Sequence, residues 1–119
     1  MAKVFVYGTL LSGEGNNRRY LQNDESKLLG EDVITGYKMY SLGAFPAICA
    51  GLDHQTITGE VWEITDKILW DLDRLEGFPD FYDRTAVDTK FGIAWVYLHD
   101  NQPDGKLIES GSWKEYLGR

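Results

Sequence analysis

Thr65-Asp66-Lys67-Ile68-Leu69-Trp70-Asp71-Leu72-Asp73-Arg74-Leu75-Glu76-Gly77 is the one stretch of the chain that reads clearly as a helix. Thr65 stands where an N-cap belongs, Asp66 puts negative charge in the first turn, and Gly77 offers a C′ position. Everything around it reads as short strands and turns. Thr56 to Ile64 is a strand by its β-branched and aromatic content, and Lys3 to Tyr7 is a second that stops at Gly8. Phe91 to His99 alternates Ile93, Trp95 and Tyr97 with Ala94, Val96 and Leu98, the pattern of a strand covered on both sides. Lys27 to Leu42 reads as one or two strands broken near Gly30 and Gly36, and Lys106 to Ile108 as a short one. Pro46 makes Ala44 to Cys49 irregular or an edge. Ser12 to Asn17 is a turn-rich loop, Asn17 to Gln22 a short helical turn, and Ser112 to Leu117 a short terminal helix. The sum is an α+β fold in which a small curved sheet or barrel packs on a helix.

The 119 residues fit one domain, spanning 1–119, and a 43% hydrophobic content supplies a core. Twelve Lys+Arg against nineteen Asp+Glu leave a net charge of −7. That balance speaks against a nucleic-acid surface, which needs a basic stripe, and against an anionic membrane leaflet. No apolar run approaches the roughly 18–20 residues that span a bilayer. Met1 to Gly8 lacks the apolar length and cleavage site of a signal peptide, so a cytoplasmic protein is expected. Oligomeric state, monomer or homodimer, is not legible.

The helix gives the first chemical clue. At about 100° per residue, Leu69, Leu72 and Leu75 fall within about 100° of Ile68 and define the buried arc, and Glu76 falls inside it at about 80°. Asp66, Asp71, Asp73 and Arg74 fall outside that arc. A carboxylate facing a core is costly unless it is paired or opens into a cavity. Burial and the helix C-terminus both raise its pKa, which makes a base useful near neutrality. The alternative is a fraying helix end whose Glu76 swings into solvent or pairs with an arginine.

The second clue is Tyr7-Gly8-Thr9-Leu10, where a strand runs into a glycine turn. Consecutive N–H groups without a ladder partner form a nest for a carboxylate or a developing oxyanion, and Gly8 allows positive φ or close approach of a ligand. An ordinary β-turn explains the same four residues. The third is the aromatic loop after Glu76, with Phe78, Phe81, Tyr82 and then Arg84. It serves either to exclude water around the carboxylate or to close the end of the core.

Other chemistries lack their residues. His54 and His99 are the only histidines, and neither His-x-x-x-His nor Cys-x-x-Cys occurs, so no metal is expected. Cys49 stands alone, no serine lies in Gly-x-Ser-x-Gly, and Gly13-Glu14-Gly15 lacks the Lys-Ser/Thr of a phosphate loop.

Val6-Tyr7-Gly8-Thr9-Leu10, Leu72-Asp73-Arg74-Leu75-Glu76-Gly77 and Tyr82-Asp83-Arg84, taken in order, resemble the γ-glutamylcyclotransferase-like family. Within it the chain is similar to the AIG2-like and YtfP-type proteins and the γ-glutamylamine cyclotransferases. Tyr40-Ser41-Leu42-Gly43, Phe45-Pro46-Ala47, Gly59-Glu60-Val61 and Leu107-Ile108-Glu109-Ser110-Gly111 before Trp113 carry the likeness to the YtfP branch over nearly the whole chain. The resemblance implies a small mixed β-barrel with flanking helices. It also implies an intramolecular acyl transfer, in which the α-amine of a γ-glutamyl group attacks its own side-chain amide and releases 5-oxoproline and a free amine. The family's acid/base glutamate maps onto Glu76, its substrate-binding turn onto Tyr7, Gly8, Thr9 and Leu10, and Tyr82 onto the pocket wall. Arg84 is expected to pair with a carboxylate. A small-molecule γ-glutamyl substrate and no cofactor are implied. The alternative is a non-catalytic small-molecule binding domain of the same fold.

Overall fold

The computed structural model describes residues 1–119. Its central strand, β1 (Ala2–Val6), carries Val4, Phe5 and Val6, all buried. Around it a five-stranded sheet runs in the order β2-β5-β1-β7-β6, with β2 Ser26–Thr35, β5 Thr56–Ile64, β6 Asp83–Thr89 and β7 Gly92–Leu98. β1 pairs antiparallel with β5 and parallel with β7, bringing Val4 opposite both Trp62 and Trp95. A second sheet, ordered β4-β3-β8, comprises β4 Pro46–Ala50, β3 Tyr37–Ser41 and β8 Lys106–Ile108. One cluster of 23 buried residues joins the two sheets and the helices.

The expected barrel is not closed. The outer edges β2 and β6 approach each other, and at the β6–β7 turn the Lys90 N–H donates to Asp32 at 2.8 Å and the Phe91 ring packs on Gly30. No ladder continues from that contact, so the strands remain two sheets while the α+β class holds.

The helix forms as expected: α2 runs Asp66–Glu76, the Thr65 hydroxyl accepts from the Ile68 N–H at 3.3 Å, and Gly77 closes it in the left-handed conformation at φ 67°. Its neighbours are α1 (Gly15–Tyr20) and α3 (Trp113–Tyr116), the latter N-capped by Ser112. α1 starts earlier than the expected Asn17 turn. β2 continues through Gly30 with only a register shift, so the break falls at Gly36. Pro46 opens β4 at a sheet edge, where its missing N–H costs no ladder bond. Two differences have a physical cause. β6 gave no strand signal because Asp83–Thr89 is an edge strand with no fully buried residue, hence little apolar alternation. β7 is not covered on both sides throughout, since Ile93 at its start is 67% exposed while Ala94, Val96 and Tyr97 are buried.

Candidate active site

The end of β1 and the end of α2 converge on a cavity of about 330 Å³. One wall is the turn Tyr7, Gly8, Thr9 and Leu10; facing parts are Leu75 and Glu76 of α2, Phe81 and Tyr82 of the following loop, Ala44, Phe45 and Pro46, and Tyr97 of β7. The helix end, the glycine turn and the aromatic loop, which lie up to 75 positions apart in sequence, thus line one space.

Glu76 points inward, as its position on the helix arc requires. Burial alone pushes its carboxyl from 4.5 up to about 7, with no hydrogen bond or cation offsetting the lost hydration. The helix terminus is not needed to explain the shift. Three phenols surround the cavity. Burial holds Tyr7, Tyr82 and Tyr97 above the ordinary tyrosine range, and the nearby Glu76 charge adds to each shift. Their protons are already committed: Tyr7 donates to the Tyr97 carbonyl at 2.7 Å, Tyr82 to the Pro46 carbonyl at 2.8 Å, and Tyr97 to Asp73 Oδ1 at 2.7 Å. Glu76 is the cavity-lining group poised to exchange a proton near neutrality.

The turn is built from α1. Asn17, fully buried, donates to the Leu10 carbonyl at 2.8 Å, and Asn16 donates to the Thr9 hydroxyl at 2.8 Å. The Asn17 and Leu11 N–H groups take up the Thr9 and Gly8 carbonyls. The N–H groups of Gly8, Thr9 and Leu10 themselves donate to no protein acceptor. Of the two reasons expected for glycine at position 8, positive φ does not apply. A Cβ there would stand 2.7 Å from Pro46 Cγ, so glycine is required for contact with the proline ring.

Arg84 pairs with a carboxylate as expected, and the partner is Asp73, with Nε 3.1 Å from Oδ1. Asp73 lies outside the helical arc yet reaches inward, because Tyr97 and Arg84 rise to meet it from the sheet. Asn16, Asn17, Tyr97 and Asp73 were not singled out as site residues. Asn16 and Asn17 sit in a stretch whose composition signals only a loop, and Tyr97 in a strand whose alternation signals only core.

A family model described as "Gamma-glutamyl cyclotransferase, AIG2-like" matches residues 4–115. The chain is 39% identical over 112 residues to "Gamma-glutamylcyclotransferase family protein YtfP" of Escherichia coli, covering 93% of this chain and 95% of that one. Among solved structures it is similar to a protein of Pyrococcus horikoshii described as uncharacterized, with TM-score 0.85 and 32% identity over 98% of this chain and 93% of that one. It is also similar to an AIG2-like protein from mouse, with TM-score 0.80 and 25% identity over 94% and 87% of the two chains.

Proposed function

We propose a reaction for this chain, which belongs to the gamma-glutamyl cyclotransferase, AIG2-like family: cyclisation of the γ-glutamyl group of a small γ-glutamyl amine or amino acid to 5-oxoproline, with release of the free amine. The observation that carries this reading is a single carboxyl, Glu76, raised to about 7 in a cavity also lined by Gly8, Thr9 and Leu10, whose backbone N–H groups have no protein acceptor.

The chemistry follows from those parts. Glu76 as carboxylate takes a proton from the substrate α-ammonium, freeing the amine to attack the γ-carbonyl carbon. The donors of Gly8, Thr9 and Leu10 hold negative charge, either the substrate α-carboxylate or the tetrahedral oxyanion. Collapse breaks the bond to the departing nitrogen, and Glu76 returns its proton there. Ring closure strips two protons from the attacking nitrogen and the departing amine takes up two, so the protein ends unchanged. Nucleophile and electrophile belong to one molecule, so folding the chain into a near-attack shape supplies much of the rate. A carboxyl near 7 suits both halves of this cycle, since it is a competent base and a competent acid at neutral pH. Tyr82 forms part of the wall that shapes the substrate.

The experiment is release of 5-oxoproline by the purified protein from a panel of γ-glutamyl amino acids, γ-glutamyl amines and glutathione. Turnover is expected to rise with pH through about 7 as Glu76 ionises. Ligand-dependent stabilisation by γ-glutamyl compounds with no release would instead identify a binding domain, and neither outcome with any of them would remove the reading.

A further inference from the structure

One ion pair lies behind the cavity rather than in it. Asp73 sits three residues before Glu76 on α2, one helical turn away and on a neighbouring face, about 5–6 Å between Cβ atoms. Its carboxylate receives the Tyr97 hydroxyl at 2.7 Å and faces Arg84 Nε at 3.1 Å. Arg84 is itself clamped, its guanidinium 4.7 Å from the centre of the Phe78 ring and 4.3 Å from that of Trp95. Both partners are largely shielded from water. The Asp73 carbonyl also takes the N–H of Phe78 at 2.9 Å and that of Gly77, closing the chain just past Glu76. Tyr97 extends the chain of contacts to the other wall, because its carbonyl accepts the Tyr7 hydroxyl.

Tyr7, Tyr97, Asp73 and Arg84 therefore form one connected path from the glycine turn to the helix end. The groups that interact with Glu76 from the packed elements are Tyr7 of the turn after β1, Tyr82 of the loop before β6 and Tyr97 of β7, all neutral; the charged ones behind them, Asp73 of α2 and Arg84 of β6, sum to zero.

We propose that Asp73 is the positioning residue of this site: by neutralising Arg84 and holding the Tyr97 hydroxyl, it fixes the end of α2 against β7 and leaves Glu76 facing no net charge. The role rests on the proposed reaction for its consequence in turnover, and on geometry alone for its effect on Glu76.

The test reads Glu76 directly. The side-chain carboxyl carbon of Glu76 is titrated by carbon-13 NMR, assigned by its absence in Glu76→Gln, in the parent protein and in Asp73→Asn, Arg84→Gln and Arg84→Lys. Asp73→Asn keeps an acceptor for Tyr97 but uncovers the arginine, so the Glu76 midpoint is expected to fall by about one unit. Arg84→Gln uncovers the aspartate, so the midpoint is expected to rise by a similar amount, while Arg84→Lys restores the parent value. The acid limb of 5-oxoproline release should move in the same directions. A merely structural brace predicts something else: any loosening would hydrate Glu76, and both charge-removing variants would drop the midpoint together. A common drop, or no movement in either, overturns the proposal. Should Asp73→Asn not fold, the comparison of Arg84→Gln with Arg84→Lys decides on the same terms. Opposite shifts by NMR with no release of 5-oxoproline by the parent would leave the positioning role standing and remove the reaction instead.

Discussion

Glu60 and Glu76 both lose hydration in the fold, and they could hardly be more differently placed. Glu60, on β5, is 6% exposed, and its Oε1 accepts from the Ser12 N–H at 2.9 Å, the Ser12 hydroxyl at 3.0 Å and the Trp62 indole N–H at 3.2 Å. Glu76, on α2, has no such partner and opens into a cavity. The protein replaces the lost hydration of Glu60 with three donors and leaves that of Glu76 unreplaced. A buried carboxylate is thus not a sign of chemistry by itself. What marks a reactive one is burial without compensation, beside space for a ligand.

The largest effect should come from breaking the uncompensated member. Glu76→Gln keeps the shape and removes the proton acceptor, so turnover should fall by roughly 10²–10⁴, the range of lost acid/base catalysis, with folding retained. An unchanged rate of 5-oxoproline release would take Glu76 out of the mechanism.

The same variant should change stability with an unusual sign. Glu76 gives up its proton near 4.5 when unfolded and near about 7 when folded, so between those values the folded state holds more protons. Stability attributable to this group is therefore present at low pH and lost as pH rises through that window, by about 3 kcal/mol in all. Removing the charge removes the slope. From about pH 4 to pH 8, urea unfolding should show Glu76→Gln gaining on the parent by up to about 3 kcal/mol. A constant difference across that range would mean Glu76 ionises as freely folded as unfolded.

Removing Glu60 should cost stability instead. Glu60→Ala leaves three donors near Ser12 and Trp62 without their acceptor and should cost about 2 kcal/mol. Glu60→Gln, which can still present one oxygen to those donors, should recover part of that loss. If Glu60→Ala proved as stable as the parent, those three bonds would not be what holds the loop after the glycine turn.

Glu76 was legible in the sequence because a helix announces its buried face by period, and one acidic residue fell on that face. The glycine turn was legible because strand propensity ends abruptly at Gly8. Glu60 was not, since a carboxylate inside a β-branched run reads as the polar side of an alternating strand; its donors come from Ser12, 48 positions away. Asp73 misled for a related reason: the helical wheel places side chains relative to one core, whereas Tyr97 and Arg84 create a second, polar contact beyond it. β6 stayed hidden as an edge strand with no buried residue. Local periodicity reports which face is dry. It does not report which distant donors will satisfy a group once it is there.

The smallest expected effect concerns Tyr82, and it separates wall from machinery. Its ring packs in a cluster with Phe81 and His99, with centroids 5.0 Å and 4.5 Å away, and its hydroxyl donates to the Pro46 carbonyl at 2.8 Å. That hydroxyl is spoken for, and burial holds its ionisation well above the tyrosine range, so it is a poor source or sink of protons at neutral pH. Tyr82→Phe keeps the aromatic wall and deletes one bond to β4. Thermal and urea unfolding should register about 1 kcal/mol of lost stability, the ordinary worth of one buried hydrogen bond. Release of 5-oxoproline per folded molecule should stay within about tenfold of the parent, because Glu76 and the turn are untouched. A loss approaching that of Glu76→Gln would show that the phenol moves a proton after all, and the compensated-versus-uncompensated distinction drawn from the two glutamates would then fail for this site's hydroxyl groups.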